Sequence, residues 1–337
     1  MKNLLKIYWF AAVATIAIWI LVGWQLGLTA LFTVFVLTML EVTFSADNAI
    51  INSRIVTTLS PIWQKLFLTL GIFTAVFVVR FVLPIVMIML TSGFSFGEVI
   101  TLINNSSPLD YSVHLHGAEL LINAFGGTFL ILVALNYFMD HHKEIHWFKR
   151  IERRLAQLGQ FENLMVLIML IIVTITFFTV DPMYHTAVSI AMIFAIILHI
   201  GLQLLGTITK YRQKKETVAT KYKTGLVALS AFIYLEILDA SFSLDSVIGA
   251  FAMTNDIWLI MAGLGAGALW VRGMTIHLVR HSTLTRFKFL EHGAHWAIAF
   301  LGGVMLAKLY GVELSEWLVG SVGLILISLA IWWSVRR

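Results

Sequence analysis

Residues 29–57 read TALFTVFVLTMLEVTFSADNAIINSRIVT, an apolar stretch with two carboxylates, Glu41 and Asp47, and the amide Asn48 close to its centre. It is long enough to cross a hydrocarbon core about 30 Å thick. An ionised side chain at that depth costs about 2.5–3.5 kcal/mol even on the lenient insertion scale. A segment that keeps two of them is therefore either not in a membrane or polar for a purpose. The rest of the chain decides between these. Of its 337 residues, 59% are apolar and 12% charged, and its mean hydropathy is +0.90. Soluble domains carry roughly twice as much charge, about 25%. Apolar runs of membrane length recur along the sequence, which excludes a soluble domain or a single-span receptor and predicts an all-α, polytopic transmembrane helix bundle. With no Cys in the chain, disulfides, CxxC redox chemistry and Cys-ligated zinc are excluded as well.

Ten spans are expected, near 7–27, 29–57, 63–90, 112–139, 163–180, 183–209, 225–254, 257–279, 289–309 and 314–333. Lys2 and Lys6 before an apolar run resemble a signal peptide, but no small-x-small cleavage site follows, so 7–27 reads as the first span. Placing the N-terminus in the cytoplasm puts 20 of the 23 basic residues in inner segments. The outer loops near 91–111, 180–184, 254–257 and 310–316 then hold none. The positive-inside rule thus predicts a multi-pass protein of the inner (plasma) membrane with both termini cytoplasmic. The basic loops 140–163 and 210–224 lack the aromatic interleaving of a single-strand binder, and topology accounts for them. No nucleic-acid partner is expected, and the lipid bilayer is the first partner. Trp147–Gln160 reads as a short amphipathic helix on the inner surface.

The sequence also repeats. Glu41-x-x-Phe44-Ser45-x-Asp47-Asn48 matches Asp239-x-x-Phe242-Ser243-x-Asp245-Ser246. Gly71 and Arg80 stand nine apart, as do Gly263 and Arg272; His116-Gly-Ala-Glu119 with Gly126-Gly127 matches His292-Gly-Ala-His295 with Gly302-Gly303. Three blocks in the same order define a unit of five spans. An odd number of crossings inverts the second copy, giving halves 1–180 and 181–337. Inverted repeats are typical of secondary transporters, with sites near the midplane where the halves meet.

Six acids fall well inside the expected spans, away from their ends: Glu41, Asp47, Glu119, Glu236, Asp239 and Asp245. Left ionised and unpaired they would cost on the order of 15 kcal/mol, comparable with the whole stability of a domain. Arg80 and Arg272, the deepest basic residues, read as charge-pairing partners for two of them. A bound divalent cation with protons on the remainder fits the charge balance better than two static ion pairs. At about 100° per residue, Glu41, Ser45 and Asn48 share a helix face, and Asp239, Ser243 and Ser246 share another with Glu236. Asp47 and Asp245 lie about 120° away; either they face a different neighbour or the helix opens near Phe-Ser and adds backbone carbonyls. Carboxylate, amide and hydroxyl oxygens suit Mn²⁺, Mg²⁺ or Ca²⁺. His116 with Glu119, and His292 with His295, are spaced i, i+3, so each pair can act from one helix face as additional ligands or a proton relay. Imidazole beside carboxylate shifts the choice towards Mn²⁺, Fe²⁺ or Zn²⁺. A single intramembrane His is more often a satisfied core residue. Gly263-x-Gly265-x-Gly267 has no preceding strand and reads as helix packing rather than a nucleotide fingerprint.

The two motifs resemble those of the TerC integral membrane proteins, on Glu41-x-x-Phe-Ser-x-Asp47-Asn48-Ala49-Ile50 and Asp239-x-x-Phe-Ser-x-Asp245-Ser246-Val247. The resemblance implies a group of cation exporters in which manganese efflux is the main activity and tellurite resistance the older label. It implies metal ligation by Glu41, Asp47, Asn48, Asp239, Asp245 and Ser246. The expected function is therefore export of a divalent cation, Mn²⁺ first, in exchange for protons. The metal is substrate, no tightly bound cofactor is expected, and a homo-oligomer is compatible with the sequence. The alternative is a membrane scaffold, or a metal-responsive protein without transport activity. With no HExxH and no Cys dyad in the chain, an intramembrane enzyme is not expected.

Overall fold

The computed structural model describes residues 2–336 apart from 72, 75–77, 79–81, 83–84, 86–88, 90–93, 106–107, 162, 216–221, 252, 255, 281–286 and 313; for 2–6, 44, 102–105, 108–118, 205–206, 208–215, 244–245, 248–249, 251 and 316–317 it describes the backbone alone. The described residues are predominantly helical, with turns and loops between the helices and no strand among them beyond one isolated bridge. In chain order the helices are α1 (Lys2–Phe44), α2 (Ala46–Val56), α3 (Pro61–Leu66), α4 (Phe96–Asn105), α5 (Pro108–Phe138), α6 (Lys149–Leu158), α7 (Leu164–Thr179), α8 (His185–Lys215), α9 (Gly225–Phe251), α10 (Ile257–Arg280), α11 (Leu290–Lys308) and α12 (Glu316–Arg336). A π-helical turn, Phe67–Gly71, follows α3. Six of these, α1, α5, α8, α9, α10 and α12, are long and apolar enough to cross a membrane, and α7 is a shorter apolar helix. The molecule is a multi-pass helical membrane bundle. Of the ten expected spans, the one over 63–90 is described only in part, its second half being mostly outside the described residues.

Large apolar side chains on the periphery are exposed, among them Leu21, Phe32, Phe178, Ile190 and Phe194. A surface of this kind is untenable in water but suits lipid. Inside, α5 and α11 cross at Gly127 and Gly302. A β-carbon on Gly127 would lie 3.0 Å from the Gly302 carbonyl oxygen, and one on Gly302 would lie 3.1 Å from that of Gly127. Small residues let two backbones touch, as in packed membrane helices. Phe129, Leu130, Ala294, Ile298 and Met305 close the core around this crossing.

Two breaks shape α1 and α2. At Gly27 the backbone takes φ 86° and ψ −179°, a left-handed region that favours glycine. The chain turns back there, because Trp19 stacks edge-on against Phe35 with ring centroids 5.2 Å apart. In a straight helix sixteen residues would separate them by about 24 Å. This backbone break falls between the stretches 7–27 and 29–57. The second break falls at Ser45, φ −96° and ψ 12°, inside the first motif.

The basic loops gather at one end of the bundle. Arg54 pairs with Glu291 at 2.8 Å. Lys223 bridges Leu59, exchanging hydrogen bonds of 2.8 and 3.0 Å with Thr58 and Ser60, and the Phe289 N–H donates to Ser334 Oγ at 2.9 Å. The amphipathic segment forms α6 and docks at this same end. At the opposite end Thr176 and Tyr310 share a hydroxyl hydrogen bond of 2.7 Å, and Val99 packs with Val247, Ile257 and Ile260.

Candidate functional site

The two motif helices meet through their polar residues. Asn48 and Asn52 on α2 both donate their amide N–H groups to Asp239 Oδ1 on α9, Asn52 at 2.8 Å. All three side chains are buried. Four residues separate the amides, so both project from one face of α2 towards the same carboxylate. One turn upstream of Ser45 the acid of the first motif is fully buried, and Ser45 Oγ donates to Glu41 Oε1 at 2.6 Å. Gly267 on α10 makes the room: a β-carbon there would overlap Cβ and Cγ of Glu41.

Asp47 follows from the break at Ser45. It sits in the first turn of α2, where helix N-terminal N–H groups favour negative charge, and the Asn48 N–H donates to its Oδ1 at 2.9 Å. Asp47 and Ser246 line one narrow cavity with Thr43 and Phe300. Its volume of ≈ 20 Å³ is enough for about one water. The opening of the helix near Phe-Ser is thus realised in the first motif. In the second it is not, because α9 runs unbroken from Gly225 to Phe251 and Ser246 Oγ donates to the Phe242 carbonyl at 3.4 Å.

Several hard oxygens converge here without hydrogen-bond partners among the described residues: Asn48 Oδ1, Asn52 Oδ1 and Ser243 Oγ. Buried acceptors of this kind are normally met by water or an ion. Among the described residues, however, no three His, Asp or Glu side chains are grouped as a metal cage. Both carboxylate oxygens of Glu236 are buried without a hydrogen-bond partner in the described set, and Oε1 lies against Gly71, where a β-carbon would collide with it. Glu119 accepts from Asn123 Nδ2 at 3.5 Å. The side chains of Asp245 and His116, and all of Arg80, lie outside the described residues.

The remaining sequence candidates sit elsewhere. Arg272 lines a separate cavity beside Ile7, Phe10 and Arg280 and makes no ion pair among the described residues. His292 and His295 lie at the basic end. His292 Nδ1 is 2.8 Å from Glu152 Oε2, and His295 stacks flat on Tyr137 with centroids 3.6 Å apart. Glu152, fully buried, also accepts from Trp296 Nε1 at 3.0 Å and from the Trp147 N–H at 2.9 Å. Lys143 lies over the Tyr137 ring at 3.5 Å. Burial alone would push the Glu152 carboxyl up, but the His292 hydrogen bond and charge, with Trp296 and Lys143, outweigh it and hold the group at about 2. Burial lowers Lys143 to about 8, against the opposing pull of Glu152, and lowers His146 as well. This cluster locks α6 against α5 and α11 and takes both histidines away from the acids of the motifs.

Sequence reasoning passed over Asn52 and Glu152, and read Gly267 as helix packing without its partner. Asn52 carried a usable signal, standing one turn from Asn48 within an apolar run. Glu152 carried one too, as an acid in the first turn of an amphipathic helix. Gly267 lay in a run of small residues that specified packing but not its partner.

One family description, "Protein of unknown function (DUF475)", matches residues 46–337. The chain belongs to the DUF475 family. No curated protein and no solved structure matches it. The DUF475 match opens inside the first motif, so it takes in Asp47, Asn48, Asn52 and the whole second motif; Glu41 and α1 precede it.

Proposed function

We propose that the chain is a secondary transporter that exports a divalent cation, Mn²⁺ in the first instance, in exchange for protons, as its resemblance to the TerC proteins implies. Metal and protons are its substrates; it holds no resident cofactor and catalyses no covalent chemistry. It lies in the plasma membrane with ten spans, its basic end and both termini in the cytoplasm, and its two five-span halves inverted. The observation that carries this reading is the buried junction of Asn48 and Asn52 with Asp239, one motif from each half.

Repeat-related contacts support the inversion. Thr38 and Glu236 occupy equivalent positions, as do Gly263 and Gly71. Thr38 Oγ1 donates to the Gly263 carbonyl at 3.2 Å, while Glu236 lies against Gly71. The reciprocal approach of Gly127 and Gly302 falls on the matched Gly-Gly pairs. The end-by-end gathering of basic and non-basic loops supports the span count.

The amides suggest how the site works. With Nδ2 turned towards Asp239 they satisfy the carboxylate without a metal. A half-turn of either amide exchanges a donor for an acceptor in the same place, so a cation can take over the carboxylate and gain Oδ1 as a hard ligand. Moving two charges outward against 100 mV costs about 4.6 kcal/mol, which protons moving inward through the same acids would offset. The test is metal flux in proteoliposomes across a panel of divalent ions with a pH dye inside. Asp47→Asn or Asp239→Asn is expected to abolish flux in protein that still inserts and elutes as one species; wild-type flux from either removes the proposal.

A scaffold without transport is the second reading, favoured by the fact that Asn48 and Asn52 already satisfy Asp239. A scaffold has no reason to prefer Mn²⁺ over Mg²⁺, so selective thermal stabilisation by Mn²⁺ separates the two.

A further inference from the structure

A cavity of ≈ 590 Å³ lies between α5, α8 and α9. Its polar wall is Asn136, His199, Gln203, Thr207, Ser230 and Tyr234, and Lys223 marks its mouth at the basic end. None of these residues belongs to either motif.

Its hydrogen bonding calls for water. Gln203 Nε2 donates to Asn136 Oδ1 at 2.9 Å and lies 3.0 Å from His199 Nε2. With its second proton directed at Nε2, the amide leaves the imidazole proton on Nδ1. His199 is 1% exposed, and its Nδ1 has no partner among the described residues. That atom is shielded from the cavity; the wall groups that water can reach are Asn136, Gln203 and Thr207. The space far exceeds what a single water needs.

The cavity also points at the motif junction. Ile55 on α2 and Tyr234 on α9 line it. They stand three residues beyond Asn52 and five before Asp239, about 4.5 and 7.5 Å along their helices. Towards the opposite end the surroundings are dry. Leu37, Val247, Ile260 and Leu264 pack together, all buried, with Val247 next in sequence to Ser246. Apolar constrictions of this type exclude hydrated ions by dewetting.

We propose that this cavity is a water-filled vestibule by which a hydrated cation reaches the Asn52–Asp239 junction from the basic end, with the opposite route shut by the Leu37–Leu264 cluster. The inference rests on the transport reading above. The wall offers neutral oxygens and no carboxylate, which suits passage: weak replacement of hydration lets an ion enter without trapping it.

The chain has no cysteine, so single cysteines can be introduced without background. Ser230→Cys and Thr207→Cys report on the vestibule; Val247→Cys and Leu264→Cys report on the seal. Each is exposed to a membrane-impermeant cationic thiol reagent in vesicles of either orientation, after full labelling in denaturant and a single elution peak establish a sound variant. Vestibule cysteines are expected to react at least tenfold faster from the side bearing the basic loops, and seal cysteines to stay unlabelled from both sides. Absence of vestibule labelling from that side, or labelling of Leu264→Cys from the other at a comparable rate, overturns the proposal. Mn²⁺ flux is measured separately. Vestibule labelling without flux removes the transport reading alone; flux without labelling removes the vestibule alone.

Discussion

The same pattern, acid-x-x-Phe-Ser-x-Asp, folds in two ways in this molecule. In the first copy the helix breaks at Ser45, and Asp47 begins a new one. In the second, α9 passes straight through. One methylene separates the leading acids. Glu41 is long enough to reach forward one turn and take the Ser45 hydroxyl. Asp239 is shorter and takes two amides from the other copy, leaving Ser243 Oγ without a partner among the described residues. Sequence identity at the motif therefore does not fix its local shape. The partner that captures the leading acid does, and the two acids capture different partners, one within its own helix and one across the bundle.

The hydrogen bonds at stake rank the ways to break that asymmetry. Asp239→Ala strands two buried amide donors, each worth about 1–3 kcal/mol when left unmet. It is expected to destabilise by about 2–5 kcal/mol in thermal unfolding from detergent, more than Glu41→Ala, which gives up the Ser45 hydroxyl bond within its own chain segment. Equal losses would mean that the two copies are not distinct. Next is the clamp at the basic end, where Arg54 ties α2 to Glu291 and Glu152 ties α6 to the neighbouring His292. The folded Glu152 carboxyl lies at about 2, below its ordinary 4.5. Its stabilisation is therefore complete above pH ~4.5 and lost as pH falls towards 2, roughly 3 kcal/mol in all. Acidification through that window should release α6, seen as a change in Trp147 and Trp296 fluorescence that Glu152→Gln displays already at pH 7. A wild-type signal flat across the window would show that the clamp does not depend on that charge.

Smaller again is Gly267→Ala, which forces a β-carbon against Glu41 and should cost about 1–3 kcal/mol by overpacking. Gly303→Ala, on a helix with open space around it, is its control and should be neutral or gain up to about 1 kcal/mol from helix propensity. If both behave alike, the first motif is not held by the close approach of α10.

Much of this was legible in the sequence, and the boundary of legibility has a physical cause. Hydropathy identified a helical membrane bundle, Gly27 fell at a span boundary, and the amphipathic stretch near Trp147–Gln160 became α6. The repeat brought Asn48 and Asp239 forward as candidates, and they touch. What the sequence did not disclose depends on reach across the bundle. Asn52 becomes a ligand-like residue only because α9 presents Asp239 to it. His292 and His295 are drawn out of the motif region by Glu152 and Tyr137, residues more than a hundred positions away. Spacing reports which side chains share a face; it does not report which neighbour that face meets.

The crossing of α5 and α11 at Gly127 and Gly302 has a mechanical corollary. Two backbones touch there, and Ile131, Met305 and Leu306 crowd against the contact from beside it. One added methyl on either glycine therefore has no gap to enter and must prise the two helices apart.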